Sequence, residues 1–480
     1  MFDRRSFLKG ASSASAVSFA GATSLLAALG NSKAYAADVS GYKAIVCLFF
    51  FGGQDAHDTV LPYDQASYDR YAELRPGLLG DYAAQEGGSS RDRDRLLPLN
   101  PTNSAQFGSR QFALPEALGP LKNLFDNGNA AVIGNVGPLV EPANADEFEN
   151  QTKEFPRRLF SHNDQQSTWL SAAPEGEIFG WGGKIADTVN ASNANQNEIF
   201  SAISTFGNTV FLAGNEARPY NLSVNGPPEV NGLRNFNSGL LGTVASDPTA
   251  VQILEDHYKS IGAERANLFE RDVAAINSRA FISNEQFSAA LDSATPIATP
   301  FPQSSVGTQL QAVANAINVR DTLGMARQVF FVAMGGFDTH DNQADDLTGL
   351  HAQYAAAINS FYSATVEMGL QNDVTLFTAA DFGRALLENG NGTDHGWGAH
   401  HFVVGGGVNG NTIYGDIPPY DVGHEFDAGN GRLIPQVSVE QYAATLGKWF
   451  GLSDAELLSA LPALANFSTT DLGFLNSPSV

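Results

Sequence analysis

The 480-residue chain contains one cysteine, Cys47. A lone thiol closes no intrachain disulfide and rules out a thiolate zinc site, so any bound metal would depend on nitrogen and oxygen donors. Basic residues are also scarce: 27 Lys and Arg stand against 51 Asp and Glu, for a net charge of −24. A surface of that sign repels phosphate backbones, which argues against nucleic acid as a partner. Charged residues make up only 16% and apolar residues 43%, with 48 Gly and 22 Pro. That mixture excludes a disordered acidic chain and a coiled coil, and fits a loop-rich globular protein.

A long hydrophobic run is missing as well. The stretch from Ala11 to Leu29 is broken by Gly and Ser and is less apolar than a typical spanning helix. Arg4-Arg5-Ser6-Phe7-Leu8-Lys9 precedes it and Ala34-Tyr35-Ala36 follows, the pattern of a twin-arginine signal with a peptidase site. Residues 1–36 are therefore expected to be an address. The protein would be exported folded to the periplasm or beyond, with no stable membrane span after cleavage; an uncleaved anchor is the alternative.

From residue 37 to 480 the pattern predicts one α/β domain with a doubly wound, mostly parallel sheet. Tyr42 to Phe51 is a continuous apolar run stopped by Gly52-Gly53, as in strands covered on both faces. Ala130–Val136, Gln328–Met334, Val374–Thr378 and His401–Val404 read as further strands. Helical spacing predicts helices over 115–128, 247–292, 307–324 and 351–368 between them. The Asn- and Gly-rich stretch and the helices from about 185 to 300 read as a peripheral insertion.

In open parallel sheets ligands bind beyond the carboxyl ends of the strands. Polar motifs gather at those positions: Gly52-Gly53-Gln54-Asp55-Ala56-His57-Asp58, Ser161-His162, Gly335-Gly336-Phe337-Asp338-Thr339-His340 and Asp381-Phe382-Gly383-Arg384, while Thr393-Asp394-His395 with His400 and His401 sits just before the fifth strand. Seven of the nine histidines lie there or in the helix that follows, most of them beside an Asp. Imidazole and carboxylate donors together suit a catalytic divalent metal, Zn or Mn rather than Mg or Ca.

These motifs resemble those of a large group of twin-arginine-exported bacterial proteins of unassigned function. That group is in turn similar to the alkaline phosphatase and sulfatase superfamily of metal-dependent α/β enzymes. The resemblance implies an alkaline-phosphatase-like fold, metal ligands among Asp55, Asp338, His340, Asp381, Asp394, His395 and His400, and a nucleophile at Ser161. Phe377 to Gly383 resembles the sulfatase pattern Phe-Thr-Ser-Asp-His-Gly, with Phe382 standing where the ligand histidine would be.

Each residue also has a plainer reading. Ser161 is either a nucleophile or a helix N-cap. Asp338 and His340 are ligands, or a turn bonded to its own backbone. Asp381 is a ligand or the ion-pair partner of Arg384, and Arg384 could instead clamp an anion bidentately. Asp394, His395 and His400 are ligands, or polar residues opening a strand packed on Trp397. Asp55 is a ligand, with His57 and Asp58 as substitutes, or a cap; His351 belongs to the core or supports the site.

The reading that joins these is a metal-dependent hydrolase of small phosphate, sulfate or phosphonate esters. A non-catalytic envelope scaffold is the alternative. A serine hydrolase using Ser161 and His162 ranks last, since no Gly-x-Ser-x-Gly elbow occurs. No Cys/Ser-x-Pro-x-Arg motif occurs either, which argues against a type I sulfatase.

Overall fold

A strand walled in by apolar residues on both sides must have a core on each face, and the first strand does. In the computed structural model, which describes residues 37–85, 90–227 and 248–476, β1 (Lys43–Phe50) alternates strictly. Ala44, Val46, Leu48 and Phe50 enter one hydrophobic core; Ile45, Cys47 and Phe49 enter the other. Burying each large side chain contributes about 1.5–3 kcal/mol, so β1 is held from both faces. The signal expected over 1–36 lies outside the described residues.

The remaining strands of the main sheet are β2 (Ala130–Gly137), β3 (Ala202–Ser204), β4 (Tyr220–Asn221), β5 (Arg327–Met334), β6 (Val374–Ala380), β7 (Ala399–Val404), β8 (Ile413–Tyr414) and β9 (Val437–Ser438). Their order is β8-β2-β7-β6-β1-β5-β3-β4, with β9 also paired to β2. All pairings are parallel except the two made by β7, which runs antiparallel between β2 and β6. The fold is α/β with a mostly parallel sheet. Part of the segment expected as an insertion builds the sheet edge: β3 pairs with β5, and β4 with β3.

Helices cover both faces. The principal ones are α1 (Gly119–Asp126), α2 (His162–Ser171), α3 (Trp181–Ala191), α4 (Pro248–Lys259), α5 (Leu268–Ser293), α6 (Ser305–Asn318), α7 (Gln343–Glu367) and α8 (Val439–Phe450). Leu124 of α1, Val313 of α6 and Ile358 of α7 pack into one core. Ile185 of α3 and Leu446 of α8 pack into the other. The helical region expected over 247–292 divides in two, because Asn267 starts a second helix by accepting from the Phe269 amide. Helix α7 begins eight residues before the expected His351, since its first turn is polar and carries no apolar periodicity. Among the described residues no helix is long and apolar enough to cross a membrane.

The three central strands end flush, with Phe50 beside both Met334 and Ala380. The residues just past β1, β5 and β6 therefore emerge side by side. Because β7 is antiparallel, the segment that precedes it opens onto the same edge; Ala399 lies opposite Val136 near the end of β2.

Candidate metal centre

The turn after β1 must be glycine. Gly52 has φ +115°, and a Cβ there would lie 2.3 Å from the Asp338 amide nitrogen. Gly53 has φ +88°, and its Cβ would meet the Phe382 ring at 2.3 Å. The two glycines let the loops after β5 and β6 close on the end of β1, which brings Asp338 beside Asp381.

Asp338 is the hub. His162, Asp338 and His395 each offer one donor atom, all within 4.8 Å of one another. His395 Nε2 lies 3.1 Å from Asp338 Oδ1, and His162 Nε2 lies 3.4 Å from Asp338 Oδ2. His340 closes the open side, with Nε2 3.2 Å from Asp338 Oδ1 and 2.8 Å from His395 Nε2. Phe382, fully buried, packs its ring 4.7 Å from His162 and 4.6 Å from His395. It forms an apolar floor where the resemblance would have put a ligand.

Both imidazoles are oriented from behind. His395 Nδ1 lies 2.8 Å from the Phe160 carbonyl, which only accepts, so Nδ1 carries the proton and Nε2 presents a lone pair. His162 Nδ1 lies 2.6 Å from Asp381 Oδ2, which leaves its Nε2 facing Asp338. A ring held through one nitrogen by a carbonyl or carboxylate, with the other aimed at a shared point, is the arrangement of metal-binding histidines. The donors fit a divalent ion on this chemistry. Burial lowers the His395 pKa, which favours the neutral ring, whereas the Asp381 hydrogen bond raises that of His162. For Asp338, burial would raise the pKa, but the hydrogen bond and charge of Arg384 outweigh it and hold the carboxyl low.

Of the residues anticipated from sequence, Asp338, His340, His395, Asp381 and His162 come together, the last with Nε2 turned to Asp338. Asp394 stands at the rim, 3.6 Å from His340 Nδ1. Asp381 sits one layer out: it accepts from His162, from Gln166 Nε2 at 2.9 Å and from the Gly52 amide at 3.0 Å. Its Oδ1 is buried and has no hydrogen-bond partner among the described residues.

The others are engaged elsewhere. Asp55 is fully buried in a salt bridge to Arg75 at 2.7 Å. It also accepts from Gln343 Nε2 at 2.7 Å and caps the short helix Ala56–Thr59. Burial alone would raise its pKa, but Arg75 holds it below the ordinary value. Of its neighbours, His57 bonds the Gly431 carbonyl at 3.0 Å and Asp58 pairs with Arg91 at 2.9 Å. His400 lies within β7 and accepts the Asn135 amide through Nδ1 at 2.9 Å; burial pushes its pKa down to about 3. Trp397 packs on Phe148 and Phe155 instead. His351 is a core histidine on α7.

Arg384 is buried, and its donors already reach Gly52 O, Thr393 O, Thr393 Oγ1 and Asp338 Oδ1. No fork is left for a ligand. Ser161 precedes α2 but makes no capping bond, and its Oγ donates to Asp164 Oδ2 at 2.9 Å. Ser161→Ala is accordingly expected to cost about 1 kcal/mol of stability while changing any turnover less than about threefold. Thermal melts beside an ester assay would check both.

Sequence reasoning missed Phe160, Gln166 and Arg432. Gln166 follows His162 by one helical turn, a spacing that could have revealed it. Phe160 acts through its backbone at φ +69°, which no side-chain pattern discloses. Arg432 donates from Nε to the His395 carbonyl at 2.7 Å, and its Nη2 stands a loose 3.9 Å from Asp394.

The class thus defined is an α/β domain with an imidazole–carboxylate cluster at the carboxyl edge of its sheet. The chain belongs to the DUF1501 family, described as a protein of unknown function, which matches residues 42–462. No curated protein matches the sequence. Two solved structures show low similarity. One is a 4S-sulf sulfatase of the Bacteroides thetaiotaomicron locus for metabolism of multiple glycosaminoglycans, with 10% identity and a TM-score of 0.31 over 87% of this chain and 74% of that one. The other is a quadruple mutant of the alkaline phosphatase PafA, with 11% identity and a TM-score of 0.25 over 72% of this chain and 64% of that one. The fold assignment rests on the sheet itself, not on these likenesses.

Proposed function

We propose that the protein is a metal-dependent hydrolase of small anionic esters, such as phosphate, sulfate or phosphonate esters, working in the cell envelope after twin-arginine export. The carrying observation is the pair of imidazoles, each tied back through Nδ1 and each presenting Nε2 to the Asp338 carboxylate. His162, Asp338 and His395 would hold one divalent ion, Zn or Mn, with His340 at its open side. Such an ion supplies Lewis acidity and a lowered pKa for bound water. Asp381 and the Phe160 carbonyl fix the two rings, and Phe382 keeps water away from the floor of the site. With Arg384 fully engaged, Arg432 would orient the anion from beside His395 and Asp394, chiefly through Nη2, since its Nε and Nη1 bond the His395 and Gly429 carbonyls.

Elemental analysis of the exported protein is expected to find about one Zn or Mn per chain, with ester hydrolysis removed by chelation and restored by the metal. Arg432→Ala should lower kcat/KM on an anionic ester about 10–100-fold, the loss of one charge-assisted contact, with metal content unchanged. A metal-free protein inert on phosphate, sulfate and phosphonate esters would favour the scaffold reading.

A further inference from the structure

Helix α5 carries a single apolar stripe whose two halves meet different fates. Its C-terminal half is buried, with Phe287 5.7 Å from both Phe200 and Tyr220. Turn by turn toward the N-terminus the same face continues through Ala280, Ile276, Val273 and Phe269, and there it is exposed: 64% for Ile276 and 75% for Phe269. The opposite face of this half is already covered, with Ala274 and Ser278 buried and Phe281 stacked on Tyr258 of α4. Leu268 beside the stripe, and Ile253 and Ile261 in and after α4, are also exposed. A monomer rarely leaves such a run of large apolar side chains along one helix face in water.

We infer that this exposed half of α5, residues 268–280, pairs antiparallel with the same segment of a second copy of the chain. A twofold axis between residues 274 and 275 sets Phe269 against Ala280 and Val273 against Ile276, so the stripe complements itself. The charges on its edge agree. Asp272 and Arg279 are seven residues apart, two helical turns, and so lie along one edge of the stripe. Antiparallel pairing by the twofold brings each Asp272 near the partner copy's arginine at 279, which gives two symmetric ion pairs. Both residues are exposed. The net charge of −24 disfavours an anionic lipid surface as the occupant. Thirteen residues of helix span about 20 Å, a small interface, so association is expected in the micromolar range.

Sedimentation equilibrium of the full chain from nanomolar to high micromolar concentration tests this. The wild type should pass from monomer to dimer, and Ile276→Glu should remain monomeric with an unchanged melting temperature. Asp272→Arg and Arg279→Asp should each weaken dimerisation about tenfold, and the double exchange should restore it. A wild-type monomer throughout, including one that binds vesicles, would overturn the inference. So would a dimer indifferent to Ile276→Glu, or a double exchange no better than its single members.

Discussion

Replacing Asp55 with alanine is expected to cost about 3–5 kcal/mol of stability while leaving the metal content of the surviving folded protein unchanged. Asp55 and Arg75 are both wholly buried, and Arg75 also donates to the Ala385 and Leu386 carbonyls. Removing the carboxylate strands a guanidinium in the interior, takes a partner from Gln343 and uncaps the helix Ala56–Thr59. The loss comes from an uncompensated buried charge, so exchanging both partners for apolar residues of similar size, Asp55→Leu with Arg75→Met, should recover much of it. Chemical denaturation of the three variants beside elemental analysis measures both quantities. A folded Asp55→Ala protein that had lost its metal would return Asp55 to the ligand set.

The second large effect is expected at Asp338. Asp338→Asn keeps the side chain's shape but removes the charge that faces His162, His340 and His395. Metal affinity should fall by more than about 100-fold, and hydrolysis with it. Asp381→Asn, which only loosens the tether on His162, should cost about 10–100-fold, as is usual for outer partners of metal-bound histidines. Asp338→Asn should also lower stability, because the wholly buried Arg384 guanidinium loses its ion pair. The asparagine oxygen still accepts from it and its bonds to the Gly52 and Thr393 carbonyls remain, so affinity is read on the folded protein. Competition against a chromophoric chelator would rank the two variants. Equal losses would contradict the division into donor and tether.

The sheet could be read in the sequence because its central strands are buried on both faces, and an apolar run such as Ile45 to Phe51 must be shielded from water on each side. The motif bearing His395 was legible only as a segment before a strand; the antiparallel run of β7 is what delivers it to the site. Spacing could not tell Asp338 from Asp55. Both follow a strand after a glycine pair, and only the fold shows that one meets imidazoles while the other meets a buried arginine. Sequence pointed to Arg384, which sits in a motif after a strand, and not to Arg432, which sits in none. Burial separates the two: the first is enclosed among carbonyls, and the second keeps a fifth of its side chain exposed.

The two tethered imidazoles are drawn from chain segments far apart, His162 at the head of α2 and His395 just before β7; Asp381 past the end of β6 steadies the first, and the Phe160 carbonyl just ahead of α2 steadies the second. No stretch of nascent chain contains a usable fraction of the centre, so capture of the proposed ion would have to wait until the central sheet has closed. Metal occupancy would then report complete folding: an ion that binds only the closed sheet would add RT ln(1 + [M]/Kd) to stability, and a chain trapped before β7 inserts would have no site to load.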